Sequence, residues 1–465
     1  MRVCMVDAIA PGPRDDWADS VSALLPSARD KVRSQLWPLP VLGVVVAVLA
    51  GVLIPELDTR LDDQLPRWFS AALFGGDAGA ARTLLDAIAS SLITVTSLTF
   101  SLTVVTLQLA SSQFSPRLLR TFASDVFVQA TLAIFLATFT YALTVLRAVR
   151  SGDDRGSDFV PRISVTVAFL LAIASVLGLV LFLAHLVRQI RVETMLRDVH
   201  QDAIVTVHKA TRPIQNAEPS RQLPTAPTDA DEVTGASSGF LTSIDGPGLC
   251  AAATEADAHL IIWSHPGSSV IEGVPIGVTW SAHGPLAQDR LSRMQNSIAR
   301  CIKVGHERTA AQDVSYGLRQ LTDVANKALS PGINDPTTAI HALGHISALL
   351  CQLADRDLGP VTLCDGDGLV RVVLRRPGFA DLLDVAISQP RRYGSSDAQV
   401  MARLFRLLEE VAWRSDDVRS VSLQLDRLVT TVGRSDLDAT EVAELEQLRR
   451  RVEAVLARPS GPTAP

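Results

Sequence analysis

Lysine is nearly missing from this chain: only Lys31, Lys209, Lys303 and Lys327 stand among its 43 basic residues. With a net charge of −6, there is no surplus of cations to attract a phosphate backbone, so nucleic acid binding is not expected. Cysteine is equally thin. Cys4, Cys250, Cys301, Cys351 and Cys364 are an odd number scattered over 465 residues, which is no disulfide framework and suits a reducing compartment. No apolar segment lies close to Met1, so a cleavable signal peptide is not expected either. The short patterns that carry common chemistries are absent too. There is no Walker A lysine motif, no dinucleotide-binding glycine fingerprint and no serine nucleophile elbow. His341 and His345 have the spacing of a zinc pair, but Ala342 stands where a zinc protease needs glutamate. No catalytic residues, metal or cofactor are expected, and an enzyme ranks third among the functional readings.

Charge is also missing in long runs, and these dominate the N-terminal half. Residues 87–116 hold 30 positions without a formal charge, more than the roughly 20 a helix needs to cross a bilayer. Similar runs cover 34–54, 126–146 and 163–187, the last with His185 near its end. Behind a segment 1–33, these predict a four-helix transmembrane domain over 34–190, with spans at about 34–55, 87–112, 126–146 and 163–187. Four spans put both termini on one side. The positive-inside count is close to even, so the unpaired cysteines carry the assignment: a multi-pass inner-membrane protein with both termini in the cytoplasm.

The second span is unusual. Twelve of residues 87–116 are Ser or Thr. At 100° per residue, Ser90, Thr94, Ser97, Ser101, Gln108 and Ser112 fall within about 40° of one line. An amide such as Gln108 left unpaired in lipid is costly, so this stripe must meet other helices or water. Two readings stay open: hydroxyl glue between packed helices, or a water-lined path made when several copies turn the stripe inward. Thr96, Thr99, Thr103 and Thr106 lie on the opposite side and can bond their own helix one turn back.

The remainder is expected to be a cytosolic α+β region. It comprises a helical extension (191–211), a flexible linker (212–238), a small β-barrel or sheet (239–284), a helical bundle (285–458) and a disordered tail (459–465). Within the bundle, Asp365-Gly366-Asp367-Gly368 between two apolar runs predicts one β-hairpin. Its likeness to a calcium loop fails because Arg376 occupies the position of the bidentate Glu. Asp313, Arg319 and Asp323 share a helical stretch, and Asp335-Pro336 opens the next helix after a turn at Asn334. These five residues could hold a polar ligand or an ion, or form a helix-capping and salt-bridge network.

Glu307-Arg308-Thr309, Gln312-Asp313, Tyr316-Gly317-Leu318-Arg319-Gln320-Leu321 and the run from Ala328 through Asn334-Asp335-Pro336 to Ala339 form a signature, with further matches at 108–117 and 389–394. It resembles that of an uncharacterised bacterial family of predicted membrane proteins, domain of unknown function 2254. The resemblance implies membrane location and architecture, and no activity. The leading expectation is an oligomeric channel or transport-like protein with a Ser/Thr/Gln-lined second helix. The alternative is a membrane-anchored scaffold or sensor that binds a cytosolic partner or small ligand. Both make the bilayer and a second copy of the chain the expected partners.

Overall fold

The computed structural model describes residues 37–61, 73–113, 125–150, 159–189, 191–216, 223–281 and 286–458. The expected N-terminal segment, the tail and part of the linker lie outside them. The chain divides into two compact units, Met1–Ile190 and Arg191–Pro465.

Unit 1 has four helices long and apolar enough to cross a membrane: α1 (Pro38–Leu61), α2 (Ala78–Gln113), α3 (Val126–Leu146) and α4 (Arg162–Gln189). The third is the hub. It packs against each of the other three, and 44% of its span is buried against 17–28% for the rest. Glycine makes the α1–α3 approach close: a Cβ at Gly51 would sit 2.7 Å from that of Thr144, and one at Gly43 would sit 3.0 Å from the Ala133 carbonyl. Two boundaries differ from the charge-free runs. α1 continues through Pro55, because Asp58 one turn later accepts hydrogen bonds from the Ile163 and Ser164 amides (3.2 and 3.0 Å) and from the Ser164 hydroxyl (3.1 Å), capping α4 from outside. α2 starts nine residues before the charge-free run, where Asp77 accepts from the Ala80 amide and Arg82 donates to the Val149 carbonyl.

Unit 2 opens with α5 (Val192–Ala210) and then builds two sheets. β1 (Asp231–Thr234), β5 (Pro275–Ser281), β3 (Ala258–Ile262), β8 (Val370–Leu374) and β7 (Val361–Cys364) form a five-stranded sheet in that order. β4 (Ser269–Val270), β2 (Gly239–Ile244) and β6 (Ile302–Gly305) form a three-stranded one. Leu241, Leu249, Leu260, Ile262, Met294 and Val372 are buried in the core that these sheets share with α6 (Gly246–Glu255) and α7 (Gln288–Cys301).

The sheets are open, and no closed barrel is found among the described residues. Within the stretch expected to be all β, residues Gly246–Glu255 are helical. Asp245 accepts from the Gly248 amide and Pro247 sits in the first turn, so Asp-Gly-Pro-Gly starts α6 instead of a hairpin. β1 arises inside the stretch expected to be linker, pairing along β5. The predicted hairpin is β7–β8, with Gly368 at φ +80°, as its turn requires. It completes the sheet by laying β8 parallel to β3, with Leu260 opposite Val372. Asp365 is held by Arg371 (2.7 Å) and the Asp367 and Leu369 amides.

Helices α8 (Tyr316–Ala328), α9 (Pro336–Ala354), α10 (Phe379–Tyr393), α11 (Ala398–Arg414), α12 (Val418–Val432) and α13 (Ala439–Leu456) follow. Asp335, Asp397, Asp417 and Asp438 cap α9, α11, α12 and α13. α5 packs on α8 and α9, where a Cβ at Gly317 would lie 2.2 Å from that of Ala203.

Candidate functional site

α2 turns its two hydroxyl faces in opposite directions. Thr99, Thr103 and Thr106 are buried against the neighbouring helices, and the Thr103 and Thr106 hydroxyls donate back to Thr99 and Leu102 carbonyls at 2.8 Å. Ser90, Thr94, Ser97, Ser101 and Gln108 are all exposed. Ser112 belongs to the same helix, with its side chain outside the described residues. Measured from Ser90 at 100° per residue, exposed positions run from Phe100, about 80° away on one flank, to Leu98 and Ser91, about 80° and 100° away on the other. The stripe therefore runs down the middle of the face that unit 1 leaves uncovered. Ser90 and Thr94 satisfy themselves on the Asp86 and Ser90 carbonyls, whereas Ser97, Ser101 and Gln108 make no side-chain hydrogen bond among the described residues. The surrounding exposed side chains, Ile93, Leu98, Phe100 and Val105, are those of a lipid-contacting surface.

The second candidate cluster is not one site. Asp313 lies ahead of α8 and Asn334 beyond its end, and a 13-residue helix separates the two by about 20 Å. Asp313 is 2% exposed and pairs with Arg308, not Arg319: Arg308 donates through Nε (3.0 Å) and Nη2, and Ser315 donates through its amide and hydroxyl. Gly267 (φ +91°) lies against this pair, and a Cβ there would clash with both side chains. Gln312 bonds the Ile244 amide and carbonyl, extending the edge of β2 as a strand would. Arg319 and Asp323 are half-buried, one turn apart on α8. Asn334 occupies the left-handed turn (φ 49°), a conformation asparagine tolerates. Asp335 accepts from the Thr338 amide at 3.0 Å, and the Thr338 hydroxyl together with that amide holds its carboxyl below the usual range. Gln389 accepts from Asn326 at 2.6 Å. These contacts tie the β6–α8 connection to the three-stranded sheet and join helix to helix.

Of the histidine pair, His341 is exposed, while His345 is half-buried with its ring 5.2 Å from that of His200 on α5. Among the described residues, no cluster of His, Cys, Asp or Glu has the form of a metal site. Two features had no local signal in sequence. Asp58 reads as an acid just past a hydrophobic run, and its partners lie more than 100 residues on. An apolar cleft on the large sheet is assembled from segments far apart in the chain.

A family model described as predicted membrane protein (DUF2254) matches residues 33–410. An uncharacterized protein of Mycobacterium bovis and one of Mycobacterium tuberculosis are each 34% identical over 448 residues, covering 94% of this chain and 83% of theirs. No solved structure matches the chain at a significant level. With four membrane-length helices in unit 1 and the Arg308 to Asp335 signature in unit 2, the chain belongs to this family of predicted membrane proteins.

Proposed function

We propose that the chain assembles through the exposed face of α2 into an oligomer whose stripes surround a polar path across the membrane, giving a channel or transport-like protein. One observation carries this: the stripe points away from the three other described helices of unit 1. Small hydroxyls buried between helices of one chain need no further partner. Hydroxyls and an amide at the centre of a lipid-directed face do, since Gln108 alone would leave an amide in hydrocarbon at a cost of several kcal/mol. Water or the same stripe of neighbouring copies supplies that partner, and closed symmetry supplies the ring. Unit 2, in which none of Cys250, Cys301, Cys351 and Cys364 is in a disulfide, is read as the cytosolic assembly module.

Disulfide cross-linking between copies tests the arrangement. In a ring, the Leu98 flank of one α2 meets the Phe100 flank of the next. Leu98→Cys with Phe100→Cys in one cysteine-free chain is then expected to yield a ladder of oligomers in native membranes. Cross-linking by Ser97→Cys alone, with none by the flank pair, would replace the ring with a dry dimer and leave the scaffold role standing. No cross-link at either would remove the assembly.

A further inference from the structure

The five-stranded sheet of unit 2 has one face in the core and one face partly open. On the open face, Ile261, Val278 and Val373 are register neighbours across β3, β5 and β8, forming a continuous apolar strip. Trp263, two residues beyond Ile261 and 39% exposed, extends it. Residues 223–226 and the loop ahead of β7 wall this strip into a cleft of about 680 Å³. That volume is in the range of small-molecule sites, and the lining is mainly apolar.

Among the described residues, the charge lining the cleft has one sign: Arg375 and Arg376 line it, and no acidic side chain does. Arg376 is half-buried and makes four hydrogen bonds, all to neutral carbonyls: Gly359 from Nε and Nη2 (3.0 and 2.8 Å), Ala210 from Nη1 (2.8 Å) and Asp357 from Nη2 (3.1 Å). These carbonyls hold the guanidinium in place; burial disfavours its charged form, and the nearby Asp357 carboxylate partly offsets that. Arg375 is exposed and makes no side-chain hydrogen bond or ion pair among the described residues, so its guanidinium fork is available. A fixed cation behind and an available one at the rim of an apolar cleft form a receptor for a molecule with an apolar body and one anionic end.

We propose that this cleft binds a small amphipathic organic anion, an aromatic or branched aliphatic carboxylate, with its body on Ile261, Val278, Val373 and Trp263 and its carboxylate on Arg375. The site is independent of the α2 assembly, and its test uses none of those positions. The full chain in lipid nanodiscs is titrated with para-trifluoromethyl cinnamate and, separately, with its neutral amide. Binding is read by fluorine NMR against empty nanodiscs. The carboxylate is expected to bind saturably and the amide about tenfold more weakly, the effect of losing one charge-assisted contact. Arg375→Gln is expected to weaken the carboxylate about tenfold without affecting the amide, and Val278→Trp, which fills the cleft, to abolish saturable binding of both. Absence of saturable carboxylate binding by the unaltered chain, equal binding of acid and amide, or indifference to both substitutions in a chain that melts normally would each overturn the proposal.

Discussion

Replacing Asp313 by Ala tests whether the strongest soluble signature of the family is architecture or a ligand site. The carboxylate is 2% exposed and neutralises Arg308, whose side chain is 11% exposed, while accepting two hydrogen bonds from Ser315. Removing it leaves a guanidinium in a poorly solvated place, and breaking such a pair from one side costs about 3–5 kcal/mol. At about 2 °C per kcal/mol for a unit of this size, Asp313→Ala is expected to lower the melting temperature of unit 2 by roughly 8 °C. The assay is thermal unfolding of the detergent-solubilised full chain, with hydrogen exchange assigning the transition to unit 2. A companion, Arg308→Met with Asp313→Leu, removes both charges and is expected to recover most of the loss, because the penalty lies in the orphaned charge. A shift below about 2 °C for the single variant, or a double variant as unstable as the single, would refute the structural reading of this motif.

Two further perturbations follow from the same contacts. Asp58→Ala deprives the start of α4 of three hydrogen bonds, and a loss of about 2–4 kcal/mol is expected, measured as a lowered melting temperature for unit 1, whereas Glu56→Ala should leave it unchanged. Burial pushes both His200 and His345 below their ordinary range, with the neighbouring His200 and His341 adding to the shift of His345. A depressed histidine keeps its stabilising contribution above the unfolded pKa of about 6.5 and loses it as pH falls through the lower folded value. Unit 2 should therefore melt lower at about pH 5 than at about pH 7.5, and His345→Phe should flatten that dependence; an unchanged slope would sink the assignment.

The sequence carried the membrane helices and the caps because both are local. α3 occupies 126–146 as its charge-free run indicates, and Asp335 ahead of Pro336 announces the start of α9, the same cap chemistry that Asp397, Asp417 and Asp438 supply at α11, α12 and α13. The large sheet was hidden because β3 and β8 are parallel and about 100 residues apart, so no turn residue between them signals the pairing. The stripe on α2 was legible as a periodicity, but its direction was not. Two hydroxyl faces occupy the helix, and only packing against the other helices of unit 1 decides that Thr99, Thr103 and Thr106 turn inward and Ser97 and Gln108 outward. Asp313 was a second ambiguity: it reads as part of the helical stretch of Arg319 and Asp323, whereas it lies ahead of α8 and is held by Arg308 from the preceding loop.

If the outward stripe of α2 meets water shared between copies, thiols placed along it will be open to a water-borne reagent. Cysteines replace Thr94, Ser97, Ser101 and Gln108 one at a time in a chain without its native five, with Leu98→Cys and Phe100→Cys as exposed controls off the stripe and Thr103→Cys as a buried one. Each is probed in native membranes with a membrane-impermeant thiol reagent. Labelling is expected at 94, 97, 101 and 108, and protection at 98, 100 and 103. Protection at all seven, or labelling at 98 and 100 as strong as at 97, would contradict it.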